Sequence, residues 1–399
     1  MNYSNIGGQA VMEGVMMRNA EKWAVAVRTA DKQITVKTGI YKGVIPSKGV
    51  NKIPILRGVC SFIDSLYLGM KTLMFSADLF AEESEKELEE RLSDERKKAQ
   101  KKADKLRAAG KSQQADQILE EQEKKAETER KKVKERGESG NGKSEDSDNT
   151  ILLTLTLIFS LAVSIALFMM LPYFLSRALR TVTSSEALIS VCEAILRLAI
   201  FLGYLFLISR MKDIQRTFMY HGAEHKCINC IEHGLELNVE NVRKSSRQHK
   251  RCGTSFLLIV VVVSVIFFFF IRTPNPVQRI GIRILLIPVI AGVSFELIRL
   301  AGKYDNKCVN ILSKPGLFLQ KLTTKEPEDD QIEIGIASVE AVFNWKKYLN
   351  ENFGANYELT EADEPHKSGD LFTIKGDYDN QGSCTESEDK SEGTSGAGL

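Results

Sequence analysis

The sequence YHGAEHKCINCIEHGLELNVENVRKSSRQHKRCGT, residues 220–254, holds four of the five histidines and three of the seven cysteines in a chain of 399 residues. Long apolar segments flank it on both sides. Imidazole and thiolate groups are common zinc ligands in proteins, and a bound metal orders the segment that supplies them. The stretch therefore predicts a centre for Zn²⁺ or another divalent metal, held between apolar segments.

Two different metal sites can be formed from this stretch. The first uses His221 and His225, which lie four residues apart and so share one face of a helix, with Glu224 beside them. This H-x-x-E-H spacing is that of the inverzincins, in which the glutamate is the general base for a water molecule at the metal. A catalytic zinc normally has a third protein ligand. The candidates for it are Glu296, His249 and Cys252.

The second site is structural. Its ligands form two chelating pairs, Cys227 with Cys230 and His249 with Cys252, which together could close a tetrahedral zinc site. At about 100° per residue, Cys230 lies on the side of a continuous helix opposite His221. One ion cannot easily serve both sets of ligands, so the sequence leaves a catalytic and a structural metal as alternatives.

Four apolar segments predict a mainly α-helical integral membrane protein with four transmembrane helices, because each is near the length of about 20 residues that a bilayer requires. The segments are residues 151–176, 186–209, 255–271 and 280–300, within a membrane domain at 150–301. The cysteines form no regular framework and fit a reducing compartment. The net charge of +2 gives no reason to expect a nucleic-acid partner.

Lys and Arg concentrate in the loop at 210–254 and again at 303–325, whereas the connectors near 181 and 273 are short. By the positive-inside rule, this bias predicts a multi-pass protein of the cell membrane. Its N-terminus, its His/Cys loop and its C-terminus are expected in the cytosol. The expected partners are the lipid bilayer and a membrane-associated protein or a lipid-linked substrate.

Glu296 lies inside the last apolar segment. A carboxylate within an apolar helix is costly and suggests a functional site. If this helix returns to the cytosol, Glu296 lies near the histidine loop and could be the third ligand. An ion pair with Arg299, three residues further on, explains the glutamate equally well.

The segments before the membrane domain predict three smaller units. Residues 1–52 combine a Gly/Met-rich motif, read as a packed strand in preference to a loop near a binding site, with a β-hairpin at 23–37, the small cytosolic β element. Residues 53–80 predict a peripheral amphipathic helix at the membrane interface. Residues 81–149 predict a charged helical insertion, a solvated hairpin that turns near residues 109–110.

Two units follow the membrane domain. Residues 302–350 predict a cytosolic helical region that contains one amphipathic helix at 329–349, acidic in its first turn and basic in its last. Residues 351–399 become rich in Gly, Ser, Asp and Glu, a composition that predicts a disordered tail.

Several motifs in order resemble one family. They are GGQAVMEGVMMR at 7–18, YHGAEH at 220–225, VENVR at 239–243, H-x-R-C-G-T-S-F at 249–256, and PGL-x-LQ at 315–320 followed by LTT-x-EP at 322–327. Together they are similar to the YqhQ-like family, a group of uncharacterised bacterial membrane proteins described as predicted metal-dependent enzymes. The resemblance extends from residue 6 to about residue 348. It implies a membrane location and a metal, and supplies neither a substrate nor a reaction.

Two functions from different classes follow from these residues. In the first, His221 and His225 bind zinc, Glu224 activates water, and the protein is a membrane-embedded hydrolase that acts at the cytosolic membrane face. In the second, the Cys/His set holds a structural zinc, and the loop is a non-enzymatic platform on which a partner docks. A third possibility is a helical scaffold in which these side chains only satisfy one another.

The predicted topology can be tested with one engineered thiol. A cysteine introduced as Asn238→Cys lies in the Lys/Arg-rich loop, so an impermeant thiol reagent should label it only after the cells are permeabilised. The unsubstituted chain is the control for labelling of the native cysteines. Labelling of Asn238→Cys in intact cells would place the loop outside and contradict the orientation.

Overall fold

The computed structural model describes residues 3–29, 31–43, 53–108, 111–138, 147–271, 275–303, 307–367 and 369–374. Within them the chain is mainly α-helical and carries one small antiparallel sheet. The helices are α1 Pro54–Ala108, α2 Ser112–Glu138, α3 Ser147–Ile165, α4 Leu171–Ala178, α5 Glu186–Ile208, α6 Lys212–Glu232, α7 Val239–Lys244, α8 Gly253–Phe270, α9 Pro276–Leu285, α10 Ile287–Lys303, α11 Lys307–Thr323, α12 Asp329–Glu340 and α13 Trp345–Phe353. The strands are β1 Ile6–Val11, β2 Gly14–Asn19, β3 Lys22–Arg28, β4 Ile34–Ile40 and β5 Leu371–Ile374.

The sheet runs in the order β1 to β5, with every neighbouring pair antiparallel. The hairpin predicted at 23–37 is confirmed, since β3 pairs with β4 and Ala26 lies opposite Val36. The Gly/Met-rich motif forms β1 and β2, as the packed-strand interpretation predicts. Side chains alternate along the strands, so that Met17 packs in a core with α6 and α12 while Val25 packs with Leu68 of α1. Both faces of the sheet are therefore covered by helices.

The fifth strand corrects the prediction of a wholly disordered tail at 351–399. Residues 371–374 pair with β4, and Thr38 of β4 donates a hydrogen bond from its hydroxyl to the carbonyl of Lys367 at 2.6 Å. The composition of the tail conceals this strand because four residues that pair with an existing sheet edge need little apolar surface of their own. Residues 375–399 lie outside the described residues.

A single helix of 55 residues, α1, joins the unit predicted at 53–80 to the first arm of the insertion predicted at 81–149. Its second half and α2 form the predicted antiparallel hairpin, with Arg130 bonded to Glu89 at 2.7 Å and Arg107 to Asp116 at 2.7 Å. The turn at residues 109–110 lies outside the described part of the chain. The helix continues without a break at the composition change because no Pro or Gly lies between Gly69 and Gly110.

Three helical segments are long and apolar enough to cross a membrane: Ile158–Ala178, Glu186–Ile208 and Gly253–Phe270. The fourth predicted span is a pair of helices, Val277–Leu285 and Ile287–Gly302, that bend by 40° at Leu286. Pro288 follows the bend and has no N–H to bond the preceding turn, which accounts for the break. By length and composition the described chain thus offers three spans, or four if the bent pair counts as one.

The region after the spans also differs from prediction in one respect. The single helix expected at 329–349 is two helices, α12 and α13, and Asn344 caps the second by accepting a hydrogen bond from the N–H of Lys347 at 2.9 Å. Helix α12 is buried between α6 and the sheet, with Ile332, Ile334 and Ile336 in the core. It is a central helix of the fold, although its charged ends predict a peripheral one.

The crossing of α1 and α10 depends on glycine, and this dependence is testable. A Cβ at Gly292 would lie 2.6 Å from the carbonyl oxygen of Ile55, whereas a Cβ at Gly281 would meet nothing within 4 Å. Gly292→Ala should therefore destabilise the purified protein by about 1–3 kcal/mol in thermal unfolding, because the two backbones must move apart. Gly281→Ala is the matched control and should be neutral or slightly stabilising. Equal effects of the two variants would contradict a close-packed crossing.

Candidate metal centre

Helix α6 presents His221 and His225 on one face, as their spacing predicts. Their ring centroids lie 4.4 Å apart. The third member of the cluster is Cys252, whose Sγ lies 3.2 Å from His221 Nε2. One ligand atom from each of the three residues lies within 4.8 Å of those of the other two. Within the described residues, this is the group of His, Cys, Asp and Glu side chains that converges closely enough to share one metal ion.

Backbone carbonyls fix the tautomers of both histidines. His221 Nδ1 lies 2.8 Å from the carbonyl oxygen of Thr323, and His225 Nδ1 lies 2.6 Å from that of Arg247. A carbonyl can only accept, so each Nδ1 carries a proton and Nε2 is the nitrogen through which each ring could bind a metal. His225 Nε2 is buried without a hydrogen-bond partner. A ring whose N–H is held by a carbonyl while its other nitrogen is bare is the usual arrangement of a metal-ligating histidine.

Cys252 has the protonation state that metal binding requires. Burial by itself disfavours a thiolate, but the imidazoles of His221 and His225 outweigh it and hold the pKa of the thiol well below its ordinary value. The residue is also the N-cap of α8, where its sulfur accepts a hydrogen bond from the N–H of Thr254 at 3.4 Å. Helix N-termini stabilise thiolates through the helix dipole. Although burial opposes it, the thiolate in turn raises the pKa of His221 to about 9.

Glu224 lies on the same helix and is fully enclosed. Its Oε2 is buried and has no hydrogen-bond partner. Burial raises the pKa of this carboxyl, against the opposing effect of the two neighbouring histidines and of a backbone hydrogen bond from Gly8. A Cβ at Gly8 would lie 2.9 Å from Glu224 Cγ. The N-terminal motif is thus a strand that also packs against Glu224 and forms one wall of the candidate site.

The structure does not bring the other candidate ligands into this cluster. Glu296 is bonded by Arg57 through two hydrogen bonds, of 2.6 and 3.0 Å, and lies 3.7 Å from Arg299. The sequence predicted the weaker of these two ion pairs and missed the stronger, because Arg57 is 239 residues away along the chain. Glu296 is therefore placed as an ion-pair partner rather than as the third ligand.

The four residues of the structural alternative are also separated. The Sγ of Cys227 packs against Gly335 of α12, and the thiol of Cys230 donates to the carbonyl of Glu236 at 3.2 Å. His249 lies beside the cluster, with its ring centroid 5.8 Å from that of His225, and its Nε2 lies 3.5 Å from the buried carboxylate of Glu232. Burial lowers the pKa of His249 despite this contact with Glu232.

Side chains that the sequence did not single out hold the loop that carries Cys252. Lys226 donates to the carbonyls of Arg243 and Ser245 at 2.8 and 2.9 Å. Asn229 donates to the carbonyls of Ser246 and Gln248 at 2.6 and 3.0 Å.

On the other side of this loop, Gln320 of α11 accepts from the N–H of His249 at 2.8 Å and donates to its carbonyl at 2.7 Å. In the sequence, Gln320 is a polar residue among apolar ones. Such positions are too common to predict that this residue holds the loop.

The fold and the site define a class: a helical protein with apolar helices of membrane-spanning length and a buried His/His/Cys cluster at the end of one of them. A family described as a protein of unknown function (DUF1385) matches residues 53–345. The uncharacterized protein YqhQ of Bacillus subtilis (strain 168) is 33% identical over 347 residues, which cover 87% of this chain and 94% of that relative. The chain belongs to the DUF1385 family, and its similarity to YqhQ is confirmed. No solved structure matches the chain.

The role of Gln320 can be tested by removing its amide. Gln320→Leu has a similar volume but leaves the N–H and carbonyl of His249 without partners in a buried position. Each orphaned group should cost about 1–3 kcal/mol, so the thermal unfolding temperature of the purified protein should fall. Gln215→Leu is the control, since Gln215 donates to the carbonyls of Ser209 and Arg210 near the surface, where water can replace it. The interpretation fails if both variants unfold at the same temperature.

Proposed function

We propose that this protein is a membrane-embedded, metal-dependent enzyme in which His221, His225 and Cys252 hold Zn²⁺ or another divalent metal and Glu224 is the general base. The reaction class is hydrolysis at the cytosolic membrane face. The observation that carries the proposal is the convergence of the unpartnered Nε2 of His225, the Nε2 of His221 and the thiolate of Cys252 beside the buried, unpartnered Oε2 of Glu224.

The donor set fits zinc in both chemistry and spacing. Two ligands at about 2.1 and 2.3 Å from one tetrahedral ion lie about 3.6 Å apart. The observed 3.2 Å between His221 Nε2 and Cys252 Sγ is close to that separation. Structural zinc sites are closed by four protein ligands, whereas catalytic sites use three and leave one position open. Three converging residues therefore favour a catalytic site over a structural one.

A divalent metal at this position would polarise a substrate carbonyl or phosphoryl group and lower the pKa of a coordinated water towards 7. Glu224 supplies the proton transfer. Its unpartnered Oε2 can accept a proton from the attacking water and pass it to the leaving group as the scissile bond breaks. Burial raises the pKa of Glu224 and so brings it closer to neutral pH, where a residue can both accept and donate a proton.

The position of the cluster favours a substrate associated with the membrane. Cys252 is the residue immediately before α8, one of the three helices apolar enough to cross a membrane. The cluster therefore lies at the end of a potential span, where a lipid-linked group or a segment of a membrane protein can reach it. No specific contact favours the platform function, because Cys227 and Cys230 do not converge with His249 and Cys252.

Metal content distinguishes the proposed enzyme from its structural alternative. His225→Ala and Cys252→Ser should each lower the metal bound by the purified protein at least tenfold, because each removes one of only three ligands. Cys230→Ser is the matched control and should keep the metal, since its thiol donates to the backbone carbonyl of Glu236 and lies outside the cluster. If Cys230→Ser loses the metal and His225→Ala retains it, the structural set is the correct one.

Catalysis is tested separately with Glu224→Gln. The amide preserves the shape of the side chain but cannot take up a proton, so the metal should remain while hydrolysis falls by about 10²–10⁴-fold. Assays would use short-chain esters and membrane-anchored peptides, each with and without a chelator. Metal binding without chelator-sensitive hydrolysis of any such substrate would leave a binding protein and contradict the enzymatic function.

A further inference from the structure

A second charged cluster lies among the apolar helices, well away from the candidate metal centre. Glu193 and Arg197 of α5 lie four residues apart, and Arg283 of α9 joins them. Ser264 of α8 accepts a hydrogen bond from Arg197 at 3.4 Å. Ser264 lies 12 residues after Cys252, which corresponds to about 18 Å along a helix axis at 1.5 Å per residue. This cluster is therefore a separate site.

The cluster carries more positive than negative charge. Glu193 Oε1 is 2.9 Å from Arg197 Nη2 and 2.6 Å from Arg283 Nη1, and its Oε2 is 3.0 Å from Arg283 Nη2. One carboxylate thus faces two guanidinium groups. Only 5% of Arg197 and 3% of Arg283 is exposed. An unbalanced charge is costly to bury, particularly among apolar helices, so the surplus calls for a counter-ion.

Both arginines keep donors free for such a counter-ion. The Nε atoms of Arg197 and Arg283 are buried and have no hydrogen-bond partner. The same two guanidinium groups pack on the ring of Phe268, with distances of 4.6 and 4.8 Å to its centroid. A small cavity lies against them, and two half-buried residues of α5, Ser190 and Ala194, form part of its lining. The cavity therefore lies between α5 and the two guanidinium groups.

We propose that Arg197 and Arg283 bind a phosphate-type oxyanion at this cavity, with Glu193 holding the two guanidinium groups together. Guanidinium donors form a planar fork that matches the oxygens of phosphate and carboxylate groups. Phe268 lies two residues from the end of α8 opposite Cys252. Glu193 lies seven residues, or about 10 Å, from the start of α5, so the site is within the apolar helices on the side remote from the His/Cys loop. A phosphate group of a lipid would therefore reach it from the opposite leaflet. This inference does not depend on the proposed enzymatic function.

The binding experiment uses the full chain, purified in a detergent without phosphate groups. Its thermal unfolding is followed while dihexanoyl phosphatidylglycerol, dihexanoyl glycerol or inorganic phosphate is added. A ligand that binds only the folded state raises the unfolding temperature in a saturable way. The phospholipid should do so, and dihexanoyl glycerol, which lacks the phosphate, should not. A saturable rise with inorganic phosphate alone would identify a free anion as the ligand and still support the site.

A carboxylate introduced into the lining of the cavity should compete with the phosphate group of the ligand. Ser190→Glu places a negative charge beside the two guanidinium groups, so it should weaken phospholipid binding through charge as well as through size. Ser190→Gln has nearly the same shape as Ser190→Glu without the charge, so it is the steric control, and phospholipid should bind it at least tenfold more tightly than Ser190→Glu. Two results would overturn the proposal: no saturable rise with either phosphate-containing ligand, or equal binding by Ser190→Glu and Ser190→Gln.

Discussion

The hydrogen bonds between α6 and the loop that follows α7 are the constraint on which the candidate metal centre depends. Residues 245–252 have no regular secondary structure, yet much of this segment is buried or half-buried. Buried carbonyls without partners are costly, and α6 supplies donors from Lys226, Asn229 and His225 to successive carbonyls of the loop. The same bonds that satisfy the loop also fix where its last residue, Cys252, meets His221.

This arrangement ties ligand geometry to the stability of the fold. Helix α6 is itself held between the sheet and α12, with Tyr220, Ile228 and Ile231 in the shared core. Because the same helix carries both histidines and most of the donors, a shift of α6 would move the imidazoles and the thiolate together. A metal-binding set that is held in this way changes little in geometry when the ion binds, which preserves the separation of its ligands.

The apolar helices contain two clusters of charged residues, and the positive charge of the two clusters is compensated in different ways. Glu296 is bonded by Arg57, and the second arginine beside it, Arg299, is about half exposed, so water can compensate its charge. Glu193 faces two buried arginines and a positive charge remains. A surplus charge that reaches water needs no further group, whereas a surplus charge in buried surroundings implies a group that compensates it. This difference is the reason that the arginine cluster, and not the Glu296 pair, supports a binding site.

Local patterns in the sequence determined the elements and half of the candidate site. The spacing of His221 and His225 placed both rings on one face of a helix, the alternation at 23–37 gave the β-hairpin, and the long apolar runs gave the membrane-length helices. Each of these features depends on residues a few positions apart, and the periodicity of a helix or strand is sufficient to fix their relative positions.

Tertiary structure alone decided which distant residues meet. Cys252 rather than Glu296 joins the histidines, Arg57 neutralises Glu296, and residues 371–374 complete the sheet. In each case several residues or segments could have served as the ligand, the ion-pair partner or the added strand. Residue type alone therefore could not identify the one that does. The selection comes from the burial of backbone and apolar surface across the whole chain, a quantity that no local pattern contains.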